Sequence, residues 1–213
     1  MLFAILLNEV KCAPYKKVVQ TISTMPNFVS WVIVYSLMFT IFSTDGLFNE
    51  ILMNMGLIEQ PTNVLADASA VYWFQTLLGQ WKNLGWSSIV YLAAISGIDQ
   101  EMYEAASIDG ANRLQKMLHI TWPGIRSTVC IMLILQVGGI MSGASFDQIF
   151  NLYSAPVYPV ADIIDTYVYR QSFMTGTNFG YTTAIGLLKS VIGVVMIWTA
   201  NKVTTKLGED GLF

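Results

Sequence analysis

The sequence predicts an all-α polytopic membrane protein, with about four full transmembrane helices plus the end of an earlier one. Hydrophobic residues make up 54% of the 213 residues and charged residues only 12%, and the mean hydropathy is +0.53. A soluble domain of this size carries about twice that charged fraction. The apolar residues also fall in long runs, which a soluble core does not require and which are typical of transmembrane helices.

Four long apolar stretches predict the full spans, because about 20 such residues are needed to cross a bilayer. They are residues 18–42, 71–96, 127–144 and 181–200. Pro26 interrupts the first span and predicts a kink there, since proline removes one backbone donor from a helix. Gly139 and Gly143 form a GxxxG pattern in the third span, which favours close packing between helix backbones.

The first segment, MLFAILLNEVK, is apolar for only seven residues before Asn8 and is too short to cross a bilayer. It also lacks the basic region and the cleavage site of a signal peptide. We therefore expect it to form the last two turns of a helix, in a chain that is truncated at its N terminus.

We interpret residues 1–213 as one transmembrane domain whose spans are joined by distinct loops. Residues 43–70 contain turn-forming residues and a short amphipathic stretch near 48–55, which predicts a helix lying on the membrane surface. Residues 147–178 also have loop character, with a short helix predicted at 161–173. Residues 201–213 form a tail after the last span.

The placement of Lys and Arg predicts which segments are cytoplasmic, because basic residues are enriched on that side. Residues 98–126 contain three basic residues and the tail contains two. In contrast, residues 43–70 contain four acidic residues and no basic one, and residues 147–178 contain one Arg against three Asp. The loop at 98–124 and the tail at 201–213 are therefore predicted to be cytoplasmic, and 43–70 and 147–178 extracytoplasmic.

The loop at 98–124 has the pattern of two short helices joined by a sharp turn. Glu104, Ala105 and Ile108 share one face of the first helix, together with Glu101. The pair Asp109-Gly110 is a turn signal, and the glycine suits the left-handed backbone that often ends a helix.

The second helix of this loop begins after Asn112, whose side chain is a favoured N-terminal cap. It carries apolar residues on one side and basic residues on the other. Pro123 is expected to stop this helix before the next span.

This loop resembles the EAA signature of the permease subunits of ABC importers. The residues that carry the resemblance are Glu104, Ala105, Ala106, Gly110, Ile120 and Pro123. The family pattern ends I-x-L-P, whereas Trp122 stands in the place of Leu; we expect this to alter packing beneath the loop rather than docking. Four further segments are similar to the carbohydrate-uptake branch of this family, specifically its polysaccharide and lipoprotein-linked permeases. They are NEVKCAPYKKVVQTIS, GWSSIVYLAAISGID, DIIDTYVYR and LGEDGLF.

The resemblance extends over residues 1–213 and lacks only the family's first helix and most of its second. It implies a type I ABC importer permease fold in the bacterial plasma membrane, with a translocation path for a sugar or oligosaccharide. The implied partners are a second permease subunit in a pseudo-symmetric pair, two ATP-binding subunits and an extracellular sugar-binding protein. The residues implied in ATPase coupling are Glu104, Ala105, Ala106, Asp109, Gly110, Ile120 and Pro123.

The sequence contains no GxxxxGK[ST] phosphate-binding loop, so ATP hydrolysis is expected on a partner subunit and the chain is not expected to be an enzyme. No cofactor is predicted. His119 has no second His or Cys nearby, which disfavours a metal site. Cys12 and Cys130 are expected to be free thiols. The basic residues form no stripe of the kind that binds nucleic acid.

Six residues in the predicted spans are candidates for the substrate path: Trp81, Lys82, Trp86, Tyr91, Gln136 and Lys189. The aromatic rings either stack on sugar faces or belong to the interfacial aromatic belt, and the belt is the better interpretation for most of them. The two lysines either line the path or serve packing and the interface. Gln136 either lines a polar cavity or makes an interhelical hydrogen bond.

Other functions stay open at this point. A permease for peptides, amino acids or ions would carry the same loop, although the carbohydrate-like flanking segments argue against it. A membrane scaffold that transports nothing is disfavoured by the EAA loop. An intramembrane enzyme would need paired catalytic groups, and the predicted spans contain no Asp, Glu or His.

Overall fold

The computed structural model describes residues 1–141, 145–175, 178–209 and 211–212, and their regular secondary structure is helical throughout, as predicted. The helices are α1 Leu2–Asn8, α2 Ala13–Thr24, α3 Trp31–Phe42, α4 Leu47–Asn54, α5 Val71–Ser96, α6 Gln100–Ile108, α7 Arg113–Lys116, α8 Trp122–Gly139, α9 Phe146–Leu152, α10 Tyr158–Ala161, α11 Ile164–Phe173 and α12 Phe179–Lys206. Short 3₁₀ turns form at Met25–Phe28, Val64–Ala66 and Ala155–Val157, and a π-helical turn forms at Met117–Thr121.

Among the described residues, three helical stretches are long and apolar enough to cross a membrane. They are Trp31–Asn54, Arg113–Gly139 and Phe179–Lys206. Helix α5 forms with the bounds predicted for the second span, but it is not one of the three. Polar residues interrupt its apolar character, namely Gln75, Gln80, Lys82 and Asn83, so its crossing of the membrane stays a prediction.

The span predicted at 18–42 is not one kinked helix, because the chain breaks around Pro26. Helix α2 ends at Thr24, the 3₁₀ turn Met25–Phe28 follows, and a new helix begins after Ser30. The Ser30 hydroxyl accepts a 3.3 Å hydrogen bond from the amide of Val32 and so caps α3. The proline together with a capping serine divides the segment in two.

Pro123 does not stop the second helix of the loop, contrary to the prediction. The helical run continues from Arg113 to Gly139, with Pro123 in the first turn of α8. Because the turn before Pro123 belongs to the same helical run, the proline removes one backbone donor from the run without ending it. The wider π-helical turn just before it changes the hydrogen-bond register, with the amide of Trp122 bonded to the carbonyl of Met117.

Two other local predictions have clear outcomes. A helix forms near residues 48–55, as α4, although its place on a membrane surface is not tested. The helix predicted at 161–173 begins later, at Ile164, because residues 158–161 form the separate helix α10. Gly143 of the GxxxG pattern lies outside the described residues, as do the last residues of the span predicted at 127–144.

The chain divides into two compact units. The first contains Met1–Asn27, Lys82–Ser142 and Lys189–Phe213. Its core has one cluster around Ala4, Leu7 and Leu92 and another around Ile5, Ile95 and Ile125. The short helix predicted at the start of the chain therefore forms as α1, and it packs on α5 and α8.

The second unit contains Phe28–Trp81 and Gly143–Leu188. Val34, Leu78 and Leu152 form one of its buried clusters, and Val71, Val157 and Ala161 form another. The predicted extracytoplasmic loop at 43–70 is held by the buried Asn49. The Asn49 amide nitrogen donates 2.7 Å to the Thr62 carbonyl, and the side-chain oxygen accepts 3.0 Å from the Thr62 amide.

An ion pair organises the other predicted extracytoplasmic segment of the second unit. Arg170 of α11 donates hydrogen bonds to the Asp162 carboxylate and to the Tyr153 hydroxyl. Burial alone would raise the pKa of Asp162. The hydrogen bonds from Arg170 and Thr166 and the positive charge of Arg170 outweigh that effect and hold the pKa of Asp162 below its usual value.

Candidate functional site

The first helix of the predicted cytoplasmic loop presents an exposed face. Helix α6 is capped by Asp99, whose carboxylate accepts a 3.0 Å hydrogen bond from the amide of Glu101. Glu104, Ala105 and Ile108 are all exposed, and Ile108 reaches 87%. A large aliphatic side chain that is so exposed beside a carboxylate and a small residue has the character of an anchor for a partner protein.

The turn after α6 is a Schellman motif, as the Asp109-Gly110 signal predicts. The amide of Gly110 donates 3.2 Å to the carbonyl of Ser107, and the amide of Ala111 donates 2.9 Å to the carbonyl of Ala106. Gly110 has φ +76°, the left-handed conformation, and nothing lies within 4 Å of where a Cβ would stand. The backbone angle, rather than a lack of space, therefore favours glycine here.

The second helix starts with a complete capping box. The Asn112 side chain accepts 2.9 Å from the amide of Gln115, and the Gln115 side chain accepts 2.7 Å from the amide of Asn112. The predicted cap at Asn112 is confirmed. Its partner Gln115 was not predicted, although the spacing Asn-x-x-Gln is a readable sequence signal.

Two side-chain contacts close the two helices into a hairpin. The Tyr103 and Thr121 hydroxyls are 2.9 Å apart, and Thr121 is only 2% exposed. The Lys116 ammonium donates a 2.5 Å hydrogen bond to the Ser107 hydroxyl. Sequence reasoning missed these four residues because the partners are 18 and 9 positions apart and no periodic pattern links them.

The remaining residues of the EAA signature are divided between the surface and the interior. Ile120 is buried, Ala106 is half-buried and Pro123 is exposed. Ala106 and Ile120 border a cavity of about 300 Å³ that also reaches Gly110. Trp122, in the position of the family's Leu, is 38% exposed. The exposed residues suit contact with a partner, and Ile120 supports the loop from within.

The aromatic candidates for the substrate path do not share one helix face. Trp81, Trp86 and Tyr91 are five residues apart on α5, which rotates each by about 140° from the previous one. The rings of Trp81 and Trp86 are exposed, whereas Tyr91 is half-buried against the cluster of Ala4, Leu7 and Leu92. The three rings therefore do not form a single stacking platform on this helix.

The polar candidates lie in different environments. Lys82 is only 6% exposed, and its ammonium donates a 2.8 Å hydrogen bond to the Asn27 carbonyl in the break after α2. Gln136 is exposed on α8, and Lys189 is half-buried on α12. The contact of Lys82 favours a structural role, because the ammonium donates to a backbone carbonyl at the point where the helix is interrupted.

Comparisons with known proteins agree with the helical architecture and with the family that the sequence resembles. The chain matches the family described as "Binding-protein-dependent transport system inner membrane component" over residues 1–208. It is 42% identical to Protein LplB of Bacillus subtilis (strain 168) over 217 residues, which cover 100% of this chain and 66% of that protein. It is also 42% identical to the polygalacturonan/rhamnogalacturonan transport system permease protein YteP of the same organism, over 100% of this chain and 65% of that protein. The chain thus spans about two thirds of the length of these relatives.

A solved structure shares the fold. In the crystal structure of a bacterial alginate ABC transporter in complex with an alginate pentasaccharide-bound periplasmic protein, one chain is 35% identical to this protein. The TM-score is 0.92, and the match covers 99% of this chain and 72% of that chain. The fold is therefore that of an ABC importer permease, as the sequence resemblance implies. On these grounds the chain belongs to the family of binding-protein-dependent transport system inner membrane components.

Proposed function

We propose that this chain is a membrane-spanning subunit of an ATP-driven importer, and that it forms part of the path for a sugar or oligosaccharide. The observation that carries the proposal is the hairpin of α6 and α7, whose outer face exposes Glu104, Ala105 and Ile108. The names of similar proteins support the solute class, since YteP is named for polygalacturonan and rhamnogalacturonan transport and the solved relative imports alginate.

The proposed partners follow from the family. The chain pairs with a second permease subunit, and two ATP-binding subunits supply the hydrolysis for which this sequence has no phosphate-binding loop. An extracellular binding protein delivers the sugar, as the bound periplasmic protein suggests for the alginate transporter. The distribution of Lys and Arg supports a cytoplasmic position for residues 98–124 and 201–213.

Docking on the ATPase would use the shape of the hairpin. Ile108 presents a large apolar surface that a partner's pocket would remove from water, which is a favourable contribution to binding. The neighbouring Ala105 allows close approach, and Glu104 supplies a charge for a basic group of the partner. Because α7, the π-helical turn and α8 form one continuous helical run, a displacement of the hairpin is passed directly to a membrane span.

The six candidates for the sugar path have unequal support. Gln136, Trp81 and Trp86 are exposed and are available to a cavity shared with the second permease. Lys189 stays a candidate on the last long helix. Lys82 and Tyr91 have weaker support, because their side chains take part in packing within the first unit.

The coupling role is tested by substitutions in the hairpin of the assembled importer. Glu104→Lys reverses the charge of the exposed face, and Gly110→Pro imposes φ near −65°, which the left-handed turn cannot accept. We expect both variants to insert in the membrane but to lose sugar-stimulated ATP hydrolysis and uptake. Glu59→Lys, at another exposed carboxylate in the loop at 43–70, is the matched control and is expected to behave as wild type.

A second measurement separates docking from catalysis. Ile108→Ala should weaken binding of the ATP-binding subunits by about tenfold to a hundredfold, because an apolar side chain of this size contributes about 1.5–3 kcal/mol when fully buried. Leu57→Ala, another exposed aliphatic residue, is the control. Normal transport by Glu104→Lys and Gly110→Pro would refute the coupling role. Uptake of peptides or amino acids, with no uptake of oligosaccharides, would refute the solute class.

A further inference from the structure

The segment that follows the last helix folds back onto the helix that carries the coupling hairpin. The chain reverses at Gly208, which has φ +81°, and the amide of Glu209 bonds back to the carbonyl of Thr204 at 3.3 Å. The Glu209 carboxylate then lies against the first turns of α8. It forms a 2.9 Å ion pair with Arg126 and accepts a 2.9 Å hydrogen bond from the Ser127 hydroxyl.

A second contact holds the end of the same segment. The amide of Leu212 donates a 2.6 Å hydrogen bond to the side-chain oxygen of the buried Asn201 on α12. A Cβ at Gly211 would stand 2.5 Å from that oxygen and 2.8 Å from the Thr205 methyl group, so a side chain does not fit there. The backbone is therefore pinned to α12, while the Glu209 carboxylate reaches across to α8.

The packing between α8 and α12 makes this contact significant. A largely apolar cavity of about 370 Å³ lies between the two helices, lined by residues that include Cys130, Leu133, Met196 and Val203. Direct side-chain packing is thus incomplete over this stretch. The Glu209 carboxylate, with a side chain only 13% exposed, bridges the helices close in sequence to Leu207, which lines the cavity.

We propose that Glu209 and Arg126 form a latch that makes α12 move together with the coupling hairpin. The inference rests on the proposed function, since it assigns a path for force within an importer. Arg126 lies on the helical run that begins at Arg113, so movement of the hairpin carries Arg126 with it. The ion pair and the Ser127 hydrogen bond pass that movement to Glu209, which lies just after the end of α12, and the bond between Leu212 and Asn201 holds the same segment on α12. Glu209 and Arg126 are positioning residues that touch neither ATP nor sugar.

The test compares single and paired substitutions in the importer reconstituted in proteoliposomes with its ATP-binding subunits. Glu209→Gln and Arg126→Gln should each lower the amount of sugar imported per ATP hydrolysed by about threefold. An effect of this size is expected from the loss of a partly exposed ion pair that is supported by one hydrogen bond. The double variant should import no less sugar per ATP than either single variant, because both single substitutions already remove the same ion pair. The charge exchange Arg126→Glu with Glu209→Arg should restore most of the coupling.

Controls separate the latch from general damage and from the proposed function. Lys206→Gln removes an exposed charge near the same turn and should leave the ratio of sugar to ATP unchanged. Amide hydrogen exchange at Leu212 reports the fold-back without any sugar, and Asn201→Ala should accelerate it. If the wild-type importer moves no sugar while Leu212 stays protected, the proposed function fails and the fold-back stands. The latch is refuted if the importer works but Glu209→Gln leaves the amount of sugar imported per ATP unchanged. It is also refuted if the effects of the two single substitutions add in the double variant and the charge exchange restores no coupling.

Discussion

The Tyr103 hydroxyl lies 2.9 Å from the Thr121 hydroxyl, so that α6 is hydrogen-bonded to the π-helical turn that leads into α8. Thr121 is buried, whereas Glu104, Ala105 and Ile108 of α6 are exposed. This contact therefore links the helix that carries the exposed face of the hairpin to the start of a long membrane helix. It also identifies the position at which a one-atom change should loosen the hairpin without altering its surface.

Tyr103→Phe should remove that hydrogen bond and leave the Thr121 hydroxyl without this partner. We expect the hairpin to lose about 1 kcal/mol of local stability, the usual net value of one such bond. Amide exchange over residues 103–121 should become faster. Tyr15→Phe, at an exposed tyrosine of α2, is the control and should have no effect on that region. Unchanged exchange in Tyr103→Phe would mean that the contact does not hold the hairpin.

Gly110 should tolerate asparagine but not valine. Its φ of +76° is left-handed and the space around it is open, so the cost of a side chain comes from backbone geometry alone. Asparagine adopts this conformation more readily than other residues with side chains, whereas a β-branched residue is strained there by about 1–2 kcal/mol. We expect Gly110→Asn to keep sugar-stimulated ATP hydrolysis near the wild-type rate and Gly110→Val to reduce it. Equal rates in the two variants would contradict a role for the left-handed turn.

Lys82→Met should reduce stability rather than sugar affinity. The Lys82 ammonium bonds to the Asn27 carbonyl at 2.8 Å from a buried position, and a hydrogen bond from a charged group contributes about 2 kcal/mol. Thermal unfolding in detergent should shift to lower temperature, with the KM for sugar uptake unchanged. Lys17→Met, at an exposed lysine of α2, serves as the control. A raised KM at unchanged stability would instead place Lys82 on the sugar path.

The Asp162–Arg170 pair should make the folding stability of the protein depend on pH under acidic conditions and not near neutral pH. The pKa of Asp162 is lowered in the folded protein, so its contribution is fully present above the unfolded value of about 3.9 and is lost as the pH falls through the folded value. We expect Asp162→Asn to melt at a lower temperature than the wild type at pH 7. The difference between the two melting temperatures should shrink as the pH falls below about 4, where the wild-type carboxylate becomes protonated. A difference that stays constant from neutral to acidic pH would show that the charge of Asp162 contributes nothing.

Much of the architecture was readable from periodicity and from local signals. The bounds of α5 follow from its apolar stretch. The turn at Gly110 after α6 and the cap at Asn112 follow from residues adjacent in sequence. Their physical cause is local, namely backbone freedom and side-chain bonds to nearby amides. The same signals misled at Pro123, because whether a proline ends a helix depends on the turn before it. The π-helical geometry of that turn has no reliable signature in the sequence.

The sequence by itself determined that this protein is helical, that it is built for a membrane, and that it carries an EAA loop with a left-handed turn. Hydropathy, charge placement and short-range turn chemistry are encoded residue by residue, so they can be read without a fold. The tertiary structure decided which candidates are exposed and which are structural. It showed Ile108 on the surface, Lys82 bonded to Asn27, and Glu209 paired with Arg126. The two contacts join residues that are distant in sequence, and only the packing of the helices brings such side chains together. The exposure of Ile108 likewise depends on which side of α6 the rest of the fold covers.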